Sequence, residues 1–192
     1  MKNSWLVLPL PLLLTLACSS GSQTPNPEPV PIPAGEVHLV TNGGELDAAR
    51  AALAASRSEL PSLNDYGYWT SFVSWTGSGG ETFIGVRDGV VARRSFEGVV
   101  VNDDLSEETE SCLEETAGDI GTECQDMAAS PRLIEELYDE CRDVVLQQDP
   151  ETNSIRVTFF ETGVLSSCTY FPENCADDCS FGPSLSSYTS DW

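Results

Sequence analysis

Residues 66–96 read YGYWTSFVSWTGSGGETFIGVRDGVVARRSF, and this stretch decides the fold. Aromatic and β-branched residues recur in it with a period of two, the signature of strands buried on one face. The runs Tyr66–Trp75, Thr82–Arg87 and Val90–Phe96 are separated by Gly77-Ser78-Gly79-Gly80 and by Asp88-Gly89. They predict a three-stranded antiparallel meander. The Asp-Gly pair is the sharpest local signal, because a two-residue hairpin turn of this kind needs positive φ at both central residues. In the first strand Trp69, Ser71, Val73 and Trp75 lie on one side, and Tyr68, Thr70 and Phe72 on the other. One row must enter the core. The other either lies under a helix or meets a partner, so Tyr68, Trp69, Phe72 and Trp75 are the candidate partner-binding residues.

Toward the C-terminus, residues 98–101 extend the sheet. Asp104 followed by Glu107 has the form of a capping box and predicts a helix over 105–116. Residues 103–129 read as an acidic surface insertion. Ser130-Pro131 then opens the strongest helical pattern in the chain, a capping side chain followed by proline at the first helical position. Leu133, Ile134, Leu137, Tyr138, Cys141, Val144 and Val145 form one stripe of it, opposite Glu135, Glu136, Asp139, Glu140 and Asp143. Ile155–Phe160 and Val164–Tyr170 form a hairpin around Glu161-Thr162-Gly163, and the tail from Pro172 is irregular. Toward the N-terminus, Val37–Val40 is a short strand and the alanine-rich stretch Glu45–Glu59 a helix ended by Pro61. This order predicts an α+β domain over 36–192. Its mostly antiparallel sheet has about five strands, helices pack on one face, and disulfides staple the C-terminal part.

The stretch Tyr66–Phe96 with its Val86-Arg87-Asp88-Gly89-Val90-Val91 turn, the helix Leu133-Ile134-Glu135-Glu136-Leu137-Tyr138-Asp139 and the strand Ile155-Arg156-Val157-Thr158-Phe159 resemble a family of small bacterial lipoproteins. That family carries a short helix, an aromatic strand, a V-x-D-G-x-V hairpin, an ELFD-like helix and a final hairpin. The chain departs from the pattern in two places: it lacks cysteines at the end of the first strand and the Gly-Tyr-Pro after the penultimate one. The resemblance implies a fold and no activity.

The N-terminus carries an address. Met1-Lys2-Asn3 precedes an apolar run from Trp5 to Ala17, too short to span a bilayer, and the run ends at Leu14-Thr15-Leu16-Ala17-Cys18. That ending resembles the lipobox of bacterial lipoprotein signals, so residues 1–17 are expected to be a lipoprotein signal peptide. Cys18 is the expected lipidation site, carrying diacylglycerol and a fatty acid, with an ordinary secretory signal as the alternative. Ser19 and Ser20 rather than Asp follow the cysteine, which by resemblance to lipoprotein sorting signals implies the outer membrane. Residues 18–35 form the tether. Pro25, Pro27, Pro29, Pro31 and Pro33 favour an extended chain reaching roughly 50 Å at about 3.1 Å per residue. Removing Cys18 from the seven cysteines leaves Cys112, Cys124, Cys141, Cys168, Cys175 and Cys179, an even set that reads as three disulfides in an exported chain. Cys112 and Cys124, close together and apart from the rest, are expected to pair, and the other four to pair among themselves.

Composition narrows the chemistry. Without residues 1–17, eight arginines face 31 acids and no lysine remains, a formal charge of −23. Such a surface disfavours nucleic acid and repels an anionic bilayer, so the lipid is the expected membrane contact. With no lysine, Schiff-base chemistry is excluded from the mature chain. His38 is the single histidine, in an apolar strand beside the tether, and reads as structural. No nucleophile elbow or phosphate loop occurs. Among so many acids any two carboxylates are uninformative, so a carboxylate-based hydrolase is an alternative rather than the leading reading. Cys175-Ala176-Asp177-Asp178-Cys179 reads as a disulfide loop and not a zinc site. Asp104, Ser106, Glu108, Glu110 and Glu115 fall near alternate positions of a calcium loop, but Thr109 stands where its central glycine belongs. No catalytic residue, metal site or cofactor is therefore assigned. Weak calcium binding and a calcium-responsive adhesive or structural role stay open. The leading expectation is a noncatalytic cell-envelope lipoprotein of unknown ligand, a binding or structural module that engages another envelope protein or ligand through the sheet or the acidic insertion.

Overall fold

The computed structural model describes residues 37–60, 63–115, 117–124, 128–176 and 179–192. Cys18 and the expected signal peptide and tether lie outside the described residues. The chain runs β1 (Val37–Val40), α1 (Gly43–Glu59), β2 (Tyr66–Val73), β3 (Gly79–Arg87), β4 (Val90–Val101), β5 (Glu107–Glu114), α2 (Ile134–Asp143), a 3-10 turn (Val145–Gln147), β6 (Asn153–Phe159), β7 (Leu165–Pro172) and β8 (Ser187–Thr189). The class is α+β, with two antiparallel sheets. One has the order β5-β4-β3-β2-β8 and the other β1-β6-β7. The predicted meander is β2-β3-β4, and its Asp88-Gly89 turn has φ of 53° and 74°. The final hairpin does not join that sheet; it pairs with β1 instead.

Strand parity fills the core. Tyr66, Tyr68, Ile84 and Val86 point inward from the five-stranded sheet, and Val40, Ile155, Val157, Leu165 and Cys168 from the three-stranded one. Between them lie Ala49 and Leu53 of α1 and Ile134, Leu137, Tyr138 and Cys141 of α2. Asn42 caps α1 by accepting the N–H groups of Gly44 and Glu45, and Glu45 returns to Thr41. A one-way chain of hydrogen bonds ties three elements together. Leu165 N–H donates to Tyr138 Oη (2.9 Å), Tyr138 Oη–H to Ser56 Oγ (2.9 Å), and Ser56 Oγ–H to the Gly163 carbonyl. Every buried polar atom in it finds a partner.

Three expectations are corrected. Residues 107–114 form a strand, not a helix. As a helix they would set Glu110 over Glu114 at i,i+4, a like-charge repulsion, and would leave the outer edge of the twelve-residue β4 unpaired. As a strand they pair with β4 from Arg94↔Glu114 to Val101↔Glu107. The α2 helix starts at Ile134, not at Pro131, and Ser130 does not cap it. The preceding backbone is tied down by Tyr68 Oη, which donates to Arg132 O (2.7 Å), and by Thr82 Oγ1, which accepts Ala129 N–H (2.9 Å). Tyr66 Oη takes the first helical N–H, that of Ile134 (2.8 Å), and the Glu136 carboxylate takes Leu133 N–H (2.7 Å). Finally, Val144 leaves the apolar stripe. The 3-10 turn after Asp143 advances the phase, so Val145 and Leu146 are buried while Val144 faces solvent.

All six remaining cysteines are paired: Cys112–Cys124, Cys141–Cys168 and Cys175–Cys179. Cys141–Cys168 crosses the core and locks α2 to β7. Cys112–Cys124 closes the acidic insertion onto β5, beside a fully buried ion pair. The Arg94 and Glu114 side chains are 3% and 0% exposed, with guanidinium and carboxylate 3.3 Å apart. Arg94 also donates to the carbonyls of Cys124, Ala128 and Ala129. Glu114 accepts the N–H groups of Gly121, Glu123 and Cys124. Burial pushes the Glu114 carboxyl up, but those three N–H groups and Arg94 outweigh it and hold the pKa at about 2.

Candidate functional site

Strand β2 is buried at its start and open at its end. Tyr66 and Tyr68 are 0% and 2% exposed, whereas Phe72, Val73 and Trp75 are 41%, 79% and 85% exposed. The cause is the neighbour on its outer side. Strand β8 is three residues long and pairs only with Gly67, Tyr68 and Trp69. Beyond it the chain turns away through Ser186 and Ser184 toward β7, making bridges at Ser167↔Ser184 and Tyr170↔Phe181. The far half of β2 is left without a strand on that outer side.

Hydrogen-bond parity identifies the backbone groups this leaves open. Ser74 N–H donates to Ser78 O (2.7 Å) in the β2-β3 hairpin, so even-numbered residues of β2 bond inward to β3. Ser186 N–H donates to Trp69 O (2.9 Å), so odd-numbered residues face the outer edge. The N–H and C=O groups of Ser71 and Val73 therefore point outward, and among the described residues no backbone group pairs with them. They open onto a cleft of about 680 Å³ walled by Phe72 and Val73 on one side and by Phe171, Pro172, Cys175, Ala176 and Cys179 on the other. Trp75 stands in the β2-β3 hairpin connection, 85% exposed.

The four aromatic candidates fall into three classes. Tyr68 is corrected from partner-binding to structural: it is buried, its hydroxyl is committed to Arg132 O, and burial pushes its phenol well above the ordinary range. Trp69 is on the outer face but half-covered, in a cluster where its ring meets Phe83 at 4.6 Å. Phe83 in turn meets Trp192 at 5.6 Å, and Arg87 lies 4.6 Å over the Trp192 ring. Phe72 and Trp75 are brought to the open end, with Phe72 stacked on Phe96 at 6.3 Å. Phe171 and Pro172 were not singled out from sequence. They became wall residues only because the last hairpin folds into the second sheet.

The other sequence candidates are structural in their surroundings. His38 stands edge-on to Phe159 at 6.3 Å. Asp104 accepts Ser106 N–H (3.0 Å) and Oγ–H (2.5 Å) in the β4-β5 turn. Among the described residues no three His, Cys, Asp or Glu side chains gather around a metal-sized gap, and no helix is long and apolar enough to cross a membrane. Compared with protein-family models, with curated proteins and with solved structures, the chain finds no match in any of the three.

Proposed function

We propose that this chain is a noncatalytic binding module of the bacterial cell envelope, anchored by lipid on Cys18 and held off the membrane by its proline tether. In this reading it engages another envelope protein through the open end of β2. The observation that carries the reading is the exposure of Phe72, Val73 and Phe171 around one cleft, with exposed Trp75 two residues further along the chain in the β2-β3 hairpin. Large apolar side chains gathered at one place on an otherwise acidic surface mark interaction sites more often than scattered ones do. The disulfide set fits the oxidising compartment that the N-terminal signal implies, and the family resemblance points to the same address. The test has two arms in cells making the full chain. Cys18→Ala should release the protein from the membrane fraction. A photo-crosslinking residue at position 75 should give a discrete adduct with an envelope protein, and the same residue at exposed Gln147 should give none. Membrane retention of Cys18→Ala, or identical adduct patterns from both positions, contradicts the proposal.

A further inference from the structure

Resting on that reading of the β2 end, we propose that its ligand is an extended segment alternating basic and apolar residues, which adds to the sheet as a sixth strand beside Ser71–Val73. An exposed strand edge is a template for another strand, and natural proteins blunt such edges with lysine, proline, bulges or a covering loop. None of these stands at Ser71-Phe72-Val73: the segment carries no charge, its register with β3 is regular, and the covering strand β8 stops at Trp69. Four outward backbone groups are thus presented beside a cleft lined by Phe72, Val73 and Phe171 together with hydroxyl side chains, the arrangement used in recognition by strand addition.

The charge around the edge selects the partner. Glu81 is the cross-strand neighbour of Ser71, and Glu97 is the neighbour of Glu81. Two carboxylates directly opposite repel, and among the described residues no arginine pairs with either. Exposed Glu173 follows Pro172 on the far wall. A second copy of this acidic chain would bring more negative charge to the edge, whereas a basic segment relieves the repulsion. Pleat geometry then fixes the alternation. In antiparallel addition, residues opposite Ser71 and Val73 bond to the edge and point their side chains to the Glu81 face, so these are the basic ones. The residue between them lies beside Phe72 and is apolar.

The experiment titrates the full-length lipoprotein in detergent with the peptide Lys-Val-Lys-Phe-Lys-Val-Lys, read by tryptophan fluorescence and calorimetry. Binding is expected, with affinity falling about tenfold or more when the two central lysines are N-methylated. Methylating the valines and phenylalanine instead should leave affinity within about twofold. Exchange of all lysines for glutamate should abolish binding, and Glu81→Gln with Glu97→Gln should weaken the lysine peptide. Absence of binding, indifference to methylation at either set, or equal binding of the glutamate peptide overturns the inference. So does self-association through this edge in sedimentation. Failure here together with a position-75 adduct in cells removes the strand-addition inference and leaves the broader proposal standing.

Discussion

Replacing Glu114 by glutamine changes one oxygen for one NH2 in a site with no access to water. The carboxylate now accepts three backbone N–H groups at 2.7–2.8 Å and faces Arg94 at 3.3 Å. Glutamine offers one acceptor oxygen and turns its NH2 donors toward other donors. The Arg94 charge, 3% exposed, loses its counter-ion. Removing one partner of a buried pair costs about 3–5 kcal/mol, a large share of the 5–15 kcal/mol that keeps a domain folded. In a protein of this size that is a fall in Tm of roughly 10 °C. Chemical denaturation and thermal melts of wild type and variant, disulfides intact, give the number directly. The pH profile gives a second, independent reading. The folded pKa is about 2 against an ordinary 4.5, so the unfolded chain binds the proton first. The contribution of Glu114 is complete above about 4.5 and is lost as pH falls toward 2. Glu114→Gln should flatten that part of the profile. The double variant Arg94→Met with Glu114→Leu separates charge from connectivity. A buried pair can often be exchanged for apolar residues at no loss, but here six backbone groups lose their partners, and a loss of about 3 kcal/mol should persist. A Glu114→Gln protein within about 0.5 kcal/mol of wild type would refute this account of the insertion.

Three further substitutions test other parts of the fold. Tyr138→Phe interrupts the chain from Leu165 N–H to Gly163 O and should lower unfolding free energy by about 2 kcal/mol in denaturant titration. Gly98→Ala places a methyl group against the Phe96 ring and the Gly79 carbonyl, so a loss of about 1–3 kcal/mol is expected in denaturant titration. Leu105 holds φ of 65° on the exposed β4-β5 turn, a left-handed conformation that opposes its side chain. Leu105→Gly should therefore raise Tm, by an amount corresponding to about 0.5–1 kcal/mol.

Where a residue's environment is set by its sequence neighbours, reading the sequence placed it well. The Asp88-Gly89 turn fixes the β3-β4 register, and the alternation around it divides Tyr66 and Tyr68 from Trp69 and Ser71. Short separation paired Cys112 with Cys124. What stayed hidden depends on distant partners. Glu107–Glu114 has helical-looking caps, and only the unpaired edge of β4 draws it into a strand. Arg94 shares the inward row with Phe96, so its burial was legible by parity, but the acid and carbonyls that receive it come from residues 114–129. The cleft is the extreme case: one wall is β2, and the other comes from the end of β7 and the segment after it, which no local signal assigns to a second sheet.

The claim that β2 ends in an open edge is tested most directly by residue-resolved amide exchange on the purified protein, without and with the alternating lysine peptide. Ser71 and Val73 should exchange at nearly unprotected rates in the free protein, while Thr70 and Phe72, bonded to β3, exchange slowly. The peptide should slow the first pair alone. Equal protection of all four amides in the free protein, or peptide binding that leaves Ser71 and Val73 as fast as before, would contradict it.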